Sequence, residues 1–186
     1  MVNEDARLVA LQALDILDTQ PEEHFDQLAD LAAEIFDAPI ALVSLVDRDR
    51  QWFKSRHGLK VTETPRAWSF CDHAVQMGPR GLLVVEDATK DPRFADNPIV
   101  TGAPGLRFYA GAVLTTVEGH NLGALCVADT KRRLRPSDRK LNRLRILADL
   151  VVNAIEQRFM TRQLKAMLAQ VGPMDRVRGD SSSLHS

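Results

Sequence analysis

Residues 40–56 read IALVSLVDRDRQWFKSR, and the periodicity of this stretch decides the fold. From Ile40 to Asp47 apolar residues fill both alternations: Ile40, Leu42 and Val46 on one side, Ala41, Val43 and Leu45 on the other. A strand that is apolar on both faces must be covered on both faces, so the sheet containing it is expected to be a middle layer. Arg48-Asp49 reads as a tight turn, and Arg50 to Arg56 returns as a second strand that Gly58 breaks.

Upstream, Leu8, Leu11, Leu14 and Leu17 recur at helical spacing until Asp18-Thr19-Gln20-Pro21 interrupts them. Pro21, which has no N–H to satisfy, predicts the start of a second helix, with Glu22 and Glu23 suiting the positive end of its dipole. Phe25, Leu28, Leu31, Ala32 and Ile35 form its buried stripe, and Pro39 ends it.

Downstream, Ser69 and Asp72 have capping-box spacing, which predicts a short helix to about Met77. Leu82 to Glu86 reads as a third strand. Asp91-Pro92 predicts one or two helical turns ending at Asn97-Pro98, and Thr101 to Gly105 a loop. Leu106–Val117 and Leu122–Asp129 form a hairpin in which Leu122, Ala124 and Cys126 point one way and Gly123, Leu125 and Val127 the other. Ser137 caps a long helix with its stripe at Leu141, Leu144, Ala148, Val151 and Ile155. That spacing continues through Met160, Leu164, Met167 and Val171 and stops at Gly172-Pro173. The result is an α+β arrangement around a central antiparallel sheet of five or six strands. Residues 1–171 are expected to be one domain, and 172–186 a disordered tail.

Bulk properties narrow the function. With 24 basic and 25 acidic residues, the net charge of −1 lacks the electrostatic footprint of a nucleic-acid binder. The cluster Lys131, Arg132, Arg133 and Arg135 neutralises few phosphates and reads as a solvated loop. No apolar run approaches the roughly 20 residues of a membrane helix, and the N-terminus lacks signal-peptide character. Two cysteines are too few for a disulfide scaffold and fit a reducing compartment, so a cytoplasmic location is expected.

Seven local strings, in this order, resemble the GAF family of bacterial signalling domains. They are residues 39–47, 50–55, 63–66, Ser69-Phe-Cys-Asp-His73, Asp91-Pro-Arg-Phe94, Arg107-Phe-Tyr-Ala-Gly111 and 123–129. The resemblance implies terminal helices on one face of the sheet and a small-molecule pocket on the other. It also implies a regulatory module rather than an enzyme, either a ligand sensor or, with the pocket filled, a dimerisation spacer, with a homodimer through the terminal helices and a histidine kinase or diguanylate cyclase as output partner. The cofactor is unspecified. One GAF-like branch reduces free methionine sulfoxide with a cysteine cluster, whereas only Cys71 and Cys126 are available here.

In the family's layout Ser69, Cys71 and His73 open the pocket helix, where unpaired N–H groups favour an anion and would acidify a thiol. Cys71 is thus either a redox candidate, with Cys126, or a small buried hydrophobe. Cys71 and His73, two residues apart, point to different sides of a helix and cannot act as nucleophile and base. No Cys-x-x-Cys or His-x-x-x-His spacing supports a metal. Tyr109 suits a pocket wall. Arg93 and Arg107 either clamp an anionic ligand or pair with Asp87, Asp91 or Asp96. Trp52, Phe53, Trp68, Phe70 and Phe94 either floor a cavity or fill the core. The candidate ligand set is Phe53, Ser69, Phe70, Cys71, His73, Asp87, Phe94, Arg107 and Tyr109.

Overall fold

The computed structural model describes residues 3–170. The expected tail and the last stripe position, Val171, lie outside the described residues. The chain runs α1 (Glu4–Ala13), α2 (Glu23–Phe36), β1 (Ile40–Val46), β2 (Arg50–His57), β3 (Glu63–Pro65), α3 (Phe70–Val75), β4 (Leu82–Val85), α4 (Pro98–Thr101), β5 (Phe108–Thr115), β6 (Asn121–Asp129) and α5 (Asp138–Gln170). The sheet is antiparallel throughout, in the order β3-β2-β1-β6-β5-β4. Its centre is therefore β1 beside β6, two strands from opposite ends of the domain.

Both faces of β1 are covered, as its composition requires. Ala41, Val43 and Leu45 pack with Phe25, Ala29 and Ala32 of α2 and with Leu144, Ala148 and Val151 of α5. Leu42 and Val46 pack on the other face with Phe53, Phe70, Ala74 and Val75. Gly123 lets the two central strands approach. A side chain there would run into the backbone of Ser44 and Leu45.

Two β-bulges reset the alternation. One lies opposite Val43/Ser44, where Lys54 is the extra residue of β2. Lys54 and Ser55 consequently both reach the helical layer, Lys54 to Glu22 and Ser55 to Asp26. The second lies at Leu114/Thr115 and leaves Leu122 out of register. Leu122 therefore packs with Leu125 and Val127 on the helical face, while Ala124 and Cys126 face the other way. This corrects the simple alternation expected for the strand.

Other boundaries also shift. α1 is short, ten residues, capped by the Asn3 side chain, which accepts from the Ala6 N–H. The chain leaves it through Asp15 at φ 47° and buries Ile16, so Leu14 and Leu17 pack from a turn and not from a helix. Pro21 lies before α2, whose N-cap is Glu22; α2 ends at Asp37 in the left-handed region, before Pro39 is reached. The turns after Asp91 are not an α-helix. Asn97 instead caps α4, its side chain accepting from the Ile99 N–H, with Pro98 at the first helical position. Arg133 is not a free loop cation: it pairs with Asp129 at 2.5 Å and donates to the Phe36 and Asp37 carbonyls. No helix among the described residues is long and apolar enough to cross a membrane.

α5 is about 50 Å long at 1.5 Å per residue. Its buried residues stop at Ile155, while Met160, Leu164, Met167 and Leu168 beyond are 58–66% exposed.

Candidate functional site

On the face opposite α2 and α5 lies a cavity of about 390 Å³. Its floor is the sheet: Ile40 and Leu42 of β1, Cys126 and Ala128 of β6, Tyr109 of β5, and Gln51 and Phe53 of β2. These positions lie on the same face in neighbouring strands because Leu42 pairs with Cys126 and Tyr109 with Ala128. Phe70 and Cys71 of α3 form one wall. Loop residues Val61, Trp68, Ala103 and Pro104, all exposed, surround the mouth. Among the described residues no charged side chain lines the cavity.

Ser69 caps α3, accepting from the Asp72 N–H at 3.0 Å, and donates its hydroxyl proton to Gln51 Oε1. The cap thereby orients the one amide in the cavity lining. Phe94 lies one layer deeper, stacked on Phe70 with centroids 3.8 Å apart, and His73 meets its edge from the exposed side of α3. α3 has only six residues. Its N-terminal donors are partly consumed by Ser69, so the anion site expected there has little field to offer.

The charged candidates stand outside the cavity. Arg107 Nη1 donates to the Val100 and Leu106 carbonyls at 2.8 and 3.0 Å and braces the loop that carries Leu106. Arg93 pairs with Asp91 at 2.6 Å. That hydrogen bond holds the Asp91 carboxyl below its ordinary value. Asp87 accepts from the Thr89 N–H and hydroxyl and closes a 3-10 turn. Trp52 faces the helical layer as core. Of the expected ligand set, Phe53, Phe70, Cys71 and Tyr109 thus come together at the cavity. Ser69 and Phe94 support its wall, while His73, Asp87 and Arg107 do not reach it.

Gln51, Leu59, Val61, Thr64, Ile99 and Leu106 line the cavity without having been singled out. For Ile40, Leu42 and Ala128 the alternation of the central strands carried the signal. The loop residues carried none.

Cys71 and Cys126, 55 residues apart in the chain, have their sulfurs 3.8 Å apart. Tyr109 Oη is 3.2 Å from Cys71 Sγ. Gly111 permits this placement, because a side chain there would overlap the Tyr109 ring. Hydrogen bonding with Cys126 outweighs burial and, with Tyr109, holds the Cys71 thiol below its ordinary value. Cys126, hydrogen-bonded to that sulfur and itself buried, is pushed well up. Burial first, and then the neighbouring sulfur charge, pushes Tyr109 up too. Among the described residues no cluster of three or more His, Cys, Asp or Glu could hold a metal.

Two ionic networks connect the sheet to the terminal helices. The Lys54 side chain is completely buried, and its Nζ donates to Thr19 Oγ1, the Gln20 carbonyl and Glu22 Oε1 at 2.7–2.9 Å. Glu22 also accepts from Arg158 of α5 at 2.8 Å. In the second network Glu4 of α1 receives Arg7 and Arg66, and Arg66 pairs with Asp72 of α3. These hydrogen bonds, Arg7 first, bring the Glu4 carboxyl down to about 2.

A six-stranded antiparallel sheet between a helical layer and a roofed cavity defines the architecture of GAF sensory domains. The GAF domain model matches residues 20–155, and the chain belongs to that family. Over 153 residues it is 44% identical to the cyclic di-GMP phosphodiesterase PA2567 of Pseudomonas aeruginosa strain PAO1. That match covers 82% of this chain but 26% of the relative's length. Among solved structures, the PixJ GAF domain of Thermosynechococcus elongatus superposes with a TM-score of 0.62 at 12% identity, covering 89% of this chain and 96% of that one. A type II free methionine-R-sulfoxide reductase from Thermoplasma acidophilum follows at 0.59 and 14%, covering 74% and 93%. At such identities these structures share the fold alone.

Proposed function

We propose that this domain is a cytoplasmic, non-catalytic sensor that takes a small, uncharged, largely apolar molecule and controls an output domain of cyclic di-GMP metabolism. The cavity carries this reading. Its volume falls within the range of small-molecule sites, and its lining contains Gln51, Thr64, Tyr109 and two thiols but no ion. An anionic nucleotide would lose its hydration there without gaining a counter-charge. Cyclic di-GMP is therefore assigned to the output and not to this cavity. The relative's name supports that output class.

Binding can act on the helices only if the two arrangements of the domain bind the molecule unequally. The chain offers a route in β2. Phe53 walls the cavity, and the next residue, Lys54, is tied through Glu22 to Arg158 of α5. α5 then pairs with its copy through Met160, Leu164, Met167 and Leu168, whose spacing leaves one apolar edge uncovered.

Native mass spectrometry of the purified protein tests both parts. A homodimer with a retained or added neutral ligand is expected, and Leu164→Glu should yield monomers that keep the ligand. A wild type that stays monomeric at high concentration refutes the dimer. Failure of a library of neutral small molecules to bind refutes the sensor.

A further inference from the structure

The cavity lining holds two free thiols that the sensory reading leaves unused. We propose that Cys71 and Cys126 form a peroxide-reactive dithiol that closes to an intramolecular disulfide when an organic hydroperoxide enters the cavity.

Geometry comes first. The sulfurs need to approach from 3.8 Å to a bond of about 2.05 Å, a change within reach of side-chain rotation and a small shift of α3. Buried cysteines are ordinarily inert because apolar surroundings disfavour the thiolate. Here the Cys71 sulfur has Tyr109 Oη at 3.2 Å and the second sulfur beside it. Ser44 supplies an independent sign. Its hydroxyl is fully buried and has no hydrogen-bond partner. Two polar groups, Tyr109 Oη and Cys126 Sγ, thus lie against one sulfur in an otherwise apolar layer.

Chemistry assigns the roles. Cys71, as thiolate after losing its proton to solvent, attacks the distal oxygen of the hydroperoxide. The O–O bond breaks, and the alkoxide takes a proton and leaves as an alcohol. Cys71 is then a sulfenic acid. Cys126 attacks that sulfur, the S–O bond breaks, and hydroxide leaves with the Cys126 proton as water. Two thiols and one hydroperoxide become one disulfide, one alcohol and one water, with two electrons passing from sulfur to oxygen.

The walls select the oxidant. Leu42, Phe53, Trp68 and Phe70 accommodate an alkyl or aryl tail, and nothing in the lining compensates the charges of a peptide disulfide. The new bond would tether α3 to the centre of the sheet. Asp72, the residue after Cys71, is held by Arg66, which also holds Glu4 of α1, so the tether reaches the terminal helices.

The test uses the full chain, reduced and desalted, treated with cumene hydroperoxide or hydrogen peroxide, then denatured, alkylated and weighed. The wild type is expected to lose both alkylatable thiols and about 2 Da, the two hydrogens given up on disulfide formation. Cumene hydroperoxide should react about tenfold faster than hydrogen peroxide, because its ring is buried in the cavity. Cys126→Ser should accumulate a dimedone adduct at Cys71, and Cys71→Ser should leave Cys126 unmodified. Circular dichroism checks that both variants fold, and the wild-type result stands without them. Two thiols remaining after excess cumene hydroperoxide overturn the proposal, as does a disulfide that links two chains. A faster reaction with hydrogen peroxide overturns the choice of oxidant class. A wild type that stays reduced yet binds a neutral ligand overturns the dithiol and leaves the sensory reading standing.

Discussion

Replacing Lys54 with methionine tests whether the buried ion pair holds β2 to the helical layer. Lys54 Nζ is out of contact with water and makes three hydrogen bonds, to Thr19, the Gln20 carbonyl and Glu22. Burial pulls its pKa down, and Glu22 opposes that pull. Methionine keeps the volume but strands two neutral acceptors and halves the cationic partnership of Glu22. Breaking a buried pair by removing one partner typically costs about 3–5 kcal/mol. Glu22 keeps Arg158 and is 29% exposed, so the charge left behind is partly solvated. The expected loss is therefore lower, about 2 kcal/mol, or a fall of roughly 4–8 °C in Tm for a domain of this size. Urea melts of the wild type, Lys54→Met, Glu22→Gln and the double variant form a cycle that isolates the pair. A coupling of about 1 kcal/mol or more is expected, since neither remaining group then needs the other. A Lys54→Met variant within about 0.5 kcal/mol of the wild type would refute the reasoning, placing the lysine among ordinary surface substitutions.

Two further predictions concern other parts of the domain. The Glu4 carboxyl is lowered to about 2 from an ordinary 4.5 by Arg7 and Arg66, so its stabilisation is fully present above about pH 4.5 and is lost as pH falls towards 2. With the side chain 37% exposed, solvent screening reduces the effect to about 1 kcal/mol. Acid titration followed by circular dichroism should show a shallower loss between those pH values in Glu4→Gln; an unchanged profile counts against the assignment. Gly123→Ala should be far more damaging than Gly111→Ala. The first collides with the backbone of the central strand, and the second only with the movable Tyr109 ring. Costs above about 3 kcal/mol against about 1–2 kcal/mol are expected in paired urea melts, and equal losses would contradict the packing described.

Much of this architecture was legible in one dimension, and so were several errors. The doubly apolar alternation of residues 40–46 required a covered sheet, and the stripe from Leu141 to Ile155 marked the face that α5 buries. Cap chemistry placed α3 at Ser69. It misplaced α4, because Asp91-Pro92 and Asn97-Pro98 offer the same local signal and only the surrounding contacts choose between them. At the cavity, aromatic and sulfur residues stood out, whereas Val61, Ala103 and Pro104 come from loops without periodicity and Ile99 from the single turn of α4. Arg107 and Asp87 looked like ligand groups because their charges were visible, although carbonyls and a turn hydroxyl satisfy them.

Local periodicity and composition alone determined that this chain builds a sheet between two layers, because the face a residue occupies follows from its phase in a strand or helix. Only the tertiary structure decided where that phase slips, at Lys54 and Leu122, since a bulge depends on the partner strand and leaves no mark in the residues themselves. The meeting of Cys71 with Cys126 likewise required the strand order that sets β6 beside β1 and beneath α3. Proximity across 55 residues belongs to topology, which short-range patterns do not encode.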